Sequence, residues 1–328
     1  MGYGNVNRAL VKLLRAKEAA LQDLGIAWKI TGVASRRLGR IADSSGLRDE
    51  WLSQFPGSLA DKSPAYESLK AWLAAARCDV LFEATSLSPH DGQPAIDHVR
   101  TALEFGSHVV TANKGPVVHA YQELRTLAAA RGRRFLFEST VMDGVPLFSM
   151  FRDNLPAIGL RAFHGILNST TNVILSGMEA GLSFEQSLKR AQEIGVAETD
   201  AAHDIGGWDA AVKVAALVTV LMGEHLPVEK IDRSGIASLT GEQVRAARAA
   251  GCPYKLVCRA RRSDNGVQAS VRAEQVPLSD PMAGVAGTSS IVYFETDIFP
   301  GLAITEVDPG VEATAYGMLA DFVRAVAS

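Results

Sequence analysis

Between residues 28 and 140 the chain alternates short apolar runs with helix-patterned stretches, and this alternation restricts its fold more than any other feature. WKITGVAS (28–35), CDVLFEAT (78–85), HVVTAN (108–113) and RRFLFEST (133–140) read as buried strands. SLKAWLAAA (68–76) and PAIDHVRTALEFG (94–106) read as helices between them, the second closed by Gly106 as a C-terminal cap. Strands separated by helices need crossover connections, which are right-handed and build a parallel sheet. Ligands of such sheets bind beyond the carboxyl ends of the strands. Those ends carry Ser35, Arg36 and Arg37, then Thr85 and Ser86, then Thr111, Asn113 and Lys114.

The opening stretch, MGYGNVNRALVKLL, bears on the same sheet. Gly2, Gly4 and Asn7 have the spacing of the dinucleotide fingerprint G-x-G-x-x-G, with Asn in the third place. The turn from Gly2 through Gly4, Asn5 and Val6 is therefore a candidate pyrophosphate site, and residues 6–24 read as the helix behind it. The fingerprint normally follows a buried strand that aims the turn, yet only Met1 precedes it here. The expectation is a Rossmann-type parallel sheet whose first strand is missing because the start codon is assigned too late.

Past residue 140 the pattern changes. Residues 182–195 and 207–222 read as helices flanking an acidic stretch. YKLVCRARR, VQASVRAE, SIVYFETD and LAITEVD, between 251 and 308, read as shorter strands, and 311–327 as a last helix. This predicts a nucleotide-binding domain over 1–136, to which 306–328 returns, and an α+β domain over 137–305 for substrate binding and dimerisation.

Composition excludes several classes. A net charge of −3 argues against a nucleic-acid binder, and no apolar run approaches the ~20 residues of a membrane span. Cys78, Cys252 and Cys258 are scattered without C-x-x-C spacing, which fits a reducing cytoplasm rather than a disulfide framework or zinc cage. The start lacks the apolar core and cleavage site of an export signal.

AETDAAHDIGGWDAAVKV (197–214) concentrates the chemistry. Glu198, Asp200, Asp204 and Asp209 precede Lys213, and Asp209 and Lys213 share one helical face. A solvated ion pair is the plain explanation of that spacing. The helix continues into VAALVTVLMG, however, and a lysine on a buried helix needs a carboxylate partner or a shifted pKa. Either makes it a candidate for proton transfer. Lys114 follows a buried strand at the ligand edge. HGILNSTTNVIL (164–175) gathers Asn168, Ser169, Thr170, Thr171 and Asn172, and FESTVMDGVPLF (137–148) runs from Glu138 through Gly144 and Pro146.

TANKGP, GILNSTTN and the window from Glu198 to Lys213, in this order and over nearly the whole chain, resemble homoserine dehydrogenase. The resemblance implies interconversion of homoserine and aspartate 4-semialdehyde with NAD(H) or NADP(H). It implies Lys213 as the catalytic lysine and Lys114 as a lysine shared by cofactor and substrate sites. Glu198, Asp204 and Asp209 match the acidic residues that hold substrate and orient the lysine, and Gly165 and Thr170 the loop around the substrate. Glu138, Val141, Asp143 and Val145 fall where the family binds a monovalent cation such as sodium, mainly through carbonyls. The family dimerises through its second domain, so a homodimer is expected. The chain ends soon after its last helix, so no appended regulatory domain is expected.

NAD binders usually end the second strand with a carboxylate for the ribose hydroxyls. Here it ends ASRR, so Arg36 or Arg37 is expected to pair with the 2′-phosphate of NADP. Three departures stand out: Asn7, Ser169 where the family commonly has Gly, and residues 308–321, which only partly resemble its glycine-rich return segment. They leave room for a dehydrogenase of another small amino-acid aldehyde, or for a non-catalytic nucleotide-binding paralogue.

Overall fold

A computed structural model describes residues 1–36, 39–54, 66–88, 90–197 and 200–327. Arg37 and Glu198, both expected site residues, lie outside this set. The chain divides into two compact units, Met1–Pro146 with Val311–Ser328, and Leu147–Gly310.

In the first unit, β1 (Gly32–Ser35) and β2 (Gly39–Ala42) form an antiparallel pair. β3 (Val80–Glu83), β4 (His108–Thr111) and β5 (Phe135–Leu136) form a parallel sheet in that order. The expected helix over 6–24 is two helices, Asn5–Ala16 and Glu18–Asp23. Leu10 and Leu14 of the first pack with Val110 of β4 and with Met318, Leu319 and Phe322 of the helix Val311–Val326. The last helix thus returns to the nucleotide unit. Helix Ala95–Phe105 ends on Gly106 with φ +101°, the left-handed cap expected there.

Two strands are shorter than expected. Of residues 28–35 only Gly32–Ser35 is strand, and Ile30 and Thr31 instead accept from the Leu47 and Asp43 amides. Of residues 133–140 only Phe135–Leu136 is strand. There the Glu138 amide donates to Asp321 and the Ser139 hydroxyl to the Thr314 carbonyl, both on the last helix. These bonds turn the chain aside and carry the first unit on to Pro146, past the expected boundary at 136.

The second unit holds one sheet in the order β11-β10-β6-β8-β9-β7. Its strands are β6 (Leu160–Ile166), β7 (Asp232–Arg233), β8 (Tyr254–Ser263), β9 (Gly266–Gln275), β10 (Ser290–Thr296) and β11 (Leu302–Glu306). All pairings are antiparallel except β7 with β9. The helix Trp208–Leu217 lies against β8 and β9 with its Ala210, Ala211, Val212 and Val214 fully buried. Residues 218–222 continue as a π-helical turn ending on Gly223, φ +68°. The unit is the mixed α+β layer expected, but β6 was not foreseen. Gly165, expected in a loop, lies inside that strand. A Cβ there would stand 2.1 Å from the Ile291 carbonyl oxygen, so glycine is what lets β6 and β10 pair.

Candidate active site

The glycine turn of the first unit has the backbone a phosphate needs. Gly2 has φ +74°, and a Cβ on it would meet the Ala84 carbonyl oxygen at 2.4 Å. Gly4 is the N-cap of helix Asn5–Ala16 and provides no side-chain cap, so the first-turn amides of Asn5 and Val6 face no capping side chain. Asn7 stands where the fingerprint has its third glycine. Its buried Nδ2 donates to the Met1 and Gly2 carbonyls at 2.9 and 3.0 Å and ties the turn together. A dinucleotide pyrophosphate fits this cradle.

The carboxyl ends of β3 and β4 are organised by Glu83, which is fully buried. Its carboxylate accepts from the Thr85 amide (2.8 Å), the Thr85 hydroxyl and the Thr111 hydroxyl (2.7 Å). Asn113 donates to the Thr85 and Ser86 carbonyls at 3.0 and 3.3 Å and accepts from the Gly115 amide, capping helix Lys114–His119. Lys114 is therefore held at a helix start beside the 85–86 connection. Arg36 follows β1 on an exposed turn. A carboxylate inside an otherwise apolar run, CDVLFEAT, was the sequence signal for Glu83.

Residues 138–145 form a compact turn in the same unit. Asp143 has φ +41° and its carboxylate accepts from the Thr314 hydroxyl at 2.5 Å. Glu138 is buried, with Arg324 at 4.0 Å from its carboxylate. The Val145 amide closes onto the Met142 carbonyl at 2.8 Å. With both carboxylates engaged, and no group of three or more His, Cys, Asp or Glu among the described residues, a side-chain metal cage does not fit here. Main-chain ligation of a monovalent ion, including by Val141 and Val145, is the form compatible with this turn.

The second unit brings Asp204 and Asp209 of the acidic window together near Lys213. Gly207, φ +76°, turns the chain into helix Trp208–Leu217, and this helix holds Asp209 and Lys213 one turn apart. The Lys213 Nζ donates to the Leu167 carbonyl at 2.6 Å and stands 3.7 Å from Asp209 Oδ2. The two side chains are 16% and 21% exposed, so this is not the solvated surface pair that the spacing alone allows. Asn168 joins the group: its Nδ2 donates to Asp204 at 2.7 Å and to Asp209 at 3.1 Å. Its Oδ1 accepts from the Thr171 amide and hydroxyl, capping helix Ser169–Glu179. One buried amide thus fixes a helix start and holds two carboxylates beside a lysine. The sequence showed Asn168 only as one of a polar run between apolar stretches.

The neighbours brace this cluster. Thr170 donates to the Val196 carbonyl at 2.8 Å, and Ser169 to the Thr288 carbonyl at 3.0 Å. Arg233 lies 3.9 Å over the Trp208 ring and donates to the Gly206 carbonyl. Cys258, behind Lys213, is fully buried, and burial pushes its thiol up to about 12, which removes it as a nucleophile. The arrangement presents an amine positioned for proton exchange, and carboxylates suited to an ammonium group.

Residues 146–323 match the family described as homoserine dehydrogenase, and residues 2–138 match the homoserine dehydrogenase NAD binding domain. The chain is 32% identical to an NAD(+)-dependent homoserine dehydrogenase of Pseudomonas canavaninivorans, covering 99% of this chain and 94% of that protein. It is 30% identical to a homoserine dehydrogenase of Methanocaldococcus jannaschii, over 99% of this chain and 96% of that one. Its fold resembles the crystal structure of a homoserine dehydrogenase from Thiobacillus denitrificans with a TM-score of 0.82 at 30% identity, covering 99% of this chain and 72% of the other.

Proposed function

Since the chain belongs to the homoserine dehydrogenase family, we propose that it interconverts L-homoserine and L-aspartate 4-semialdehyde with Lys213 as its acid–base residue. The observation that carries this reading is the largely enclosed group of Lys213, Asp209 and Asp204 joined by the buried Asn168. In oxidation Lys213 takes the hydroxyl proton of homoserine as hydride leaves the same carbon; in reduction it returns that proton to the aldehyde oxygen. A bound nicotinamide supplies the hydride acceptor or donor. Asp204, with Glu198, takes the substrate ammonium; Asp209 orients Lys213, and Thr170 and Gly165 shape the surrounding chain. Lys114 serves cofactor and substrate, and Gly2, Gly4, Asn5, Val6, Thr85 and Ser86 receive the dinucleotide. The test is Lys213→Ala, expected to lower kcat by about 10²–10⁴-fold with an unchanged fold. Near-normal turnover would exclude Lys213 from that role.

Arg36 and Arg37 favour NADP over NAD, since no carboxylate stands at the end of β1 to take the ribose hydroxyls. The carbonyls of the turn 138–145, with Glu138 and Asp143 beside them, offer a monovalent cation such as sodium a place. The active form is a homodimer built on the second unit, whose edge strand β11 and exposed Ile298 and Val307 suit an interface. No described helix is long and apolar enough to cross a membrane, and the three free cysteines suit the cytoplasm.

A further inference from the structure

Residues 285–289 connect a 3₁₀ turn to β10 and lie in no helix or strand. Side chains take up their carbonyls one after another. Val285 accepts from Lys255 Nζ at 2.6 Å, Gly287 and Ser289 from Asn172 Nδ2 at 3.0 and 3.4 Å, and Thr288 from the Ser169 hydroxyl at 3.0 Å. The Gly287 amide donates to the Ser176 hydroxyl at 3.4 Å. Ser169, Asn172 and Ser176 follow at i, i+3 and i+7 along helix Ser169–Glu179, so one face of that helix grips the segment. At the far end the Ser289 hydroxyl donates to the Asp308 carboxylate at 3.2 Å and accepts from the Asp308 amide at 3.1 Å.

Lys255, on β8, is the charged member of this group and is 1% exposed. Besides the Val285 carbonyl, its Nζ donates to Asn172 Oδ1 at 3.5 Å. Asn172 is fully enclosed as well. An ammonium has donors only, so it fixes which way the Asn172 amide faces: Oδ1 towards the lysine, Nδ2 towards Gly287 and Ser289. Burial pulls the Lys255 pKa down, against the opposing pull of Glu179 on the last turn of helix Ser169–Glu179. Desolvating an ammonium is costly unless its hydrogen bonds offset it, whereas a methionine of similar length carries no such cost. What the lysine supplies beyond an apolar residue is a fixed direction for one amide and one carbonyl.

We propose that Lys255 is a positioning residue for the reaction: through Asn172 and residues 285–289 it holds the start of helix Ser169–Glu179, from which the Lys213 group is arranged. The inference rests on Lys213 being the acid–base residue. The path from the segment to that group is short. Leu167, whose carbonyl accepts from Lys213, and Asn168, which donates to Asp204 and Asp209, immediately precede Ser169. Ser169 stands where the family commonly has Gly, and its hydroxyl bonds the segment directly. With an apolar side chain in place of Lys255, the Asn172 amide is free to turn over and the Val285 carbonyl loses its donor. The helix start then shifts, and Asn168 no longer holds both carboxylates. A misplacement of about 1 Å is enough to cost about 10²-fold in rate.

The test is Lys255→Met, alone and combined with Asn168→Asp. Lys255→Met is expected to lower kcat for homoserine oxidation by about 10-fold or more, while KM for the nicotinamide cofactor stays within about twofold. The two losses should not multiply: the double variant is expected within about threefold of Asn168→Asp alone, since both act on one arrangement. A loss that came only from a weakened fold would multiply. Amide exchange should quicken at Thr171 and Gly287 and stay unchanged in β9. A kcat within about threefold of the parent, or losses that multiply in the double variant, would overturn the proposal. If Lys255→Met does not fold, Ser169→Ala deletes only the bond to Thr288. It must then lower kcat by at least about threefold and likewise fail to multiply with Asn168→Asp, or the proposal falls. If the parent chain does not oxidise homoserine at all, the substrate reading fails and exchange alone decides for Lys255. Unchanged exchange at Thr171 in Lys255→Met then overturns its role, and faster exchange confined to Thr171 and Gly287 upholds it.

Discussion

Asn168 gives the sharpest separation of stability from chemistry. It is 3% exposed, caps helix Ser169–Glu179 through Oδ1 and donates through Nδ2 to two carboxylates. Asn168→Ala removes both functions. Loss of the cap costs about 1 kcal/mol, and loss of a hydrogen bond to a charged group about 1.5–3 kcal/mol. Water can reach the partly exposed Asp204 and Asp209, so the lower end applies and the sum is about 2–3 kcal/mol. For a domain of this size that lowers the melting temperature by ~4–12 °C. Asn168→Asp keeps an oxygen for the Thr171 amide, because Asp caps as well as Asn. It deletes the shared donor and sets a third carboxylate against Asp204 and Asp209. Stability should fall less than in Asn168→Ala, while the disordered carboxylates release Lys213 from its position. An orienting loss of about 1.5–3 kcal/mol lowers kcat/KM by roughly 10–150-fold. Thermal melts by circular dichroism and steady-state homoserine oxidation at saturating cofactor read the two effects. If Asn168→Asp kept kcat/KM within threefold of the parent, the view that Asn168 positions the acid–base group would be refuted.

Three further outcomes follow from other parts of the structure. An Arg36→Ala, Arg37→Ala double substitution should weaken NADPH more than NADH in fluorescence titrations; equal losses, or equal affinities in the parent, argue against the 2′-phosphate role. Light scattering at micromolar concentration should give twice the 34.9 kDa chain mass, and a monomer would dismiss the interface on the second unit. His98 is brought down to about 4, first by burial and then by the Met1 amine. Its folded pKa lies below the unfolded value near 6.5, so the stability it supports is present above pH 6.5 and is lost as pH falls towards 4. His98→Gln should flatten acid unfolding across that window, and an unchanged profile would show that other groups set it.

The sequence by itself determined what short-range periodicity and spacing encode. The Gly106 cap, the four late strands and the last helix follow from patterns a few residues long, as does the shared face of Asp209 and Lys213. The order of TANKGP, GILNSTTN and the acidic window carried the family resemblance. Only the tertiary structure decided what Lys213 is held by: the Leu167 carbonyl, 46 residues away, and through Asp209 an Asn168 side chain 41 residues from that carboxylate. It also decided that Gly165 makes room for a neighbouring strand, and that Asn7 binds its own turn. It cut 133–140 to a two-residue strand because Asp321, 183 residues from Glu138, takes that residue's amide. Propensity and periodicity act over one or two turns, whereas each of these positions depends on which distant backbone group arrives beside it. No local pattern records that arrival, and here it converts an ordinary i, i+4 pair into one held mostly out of solvent.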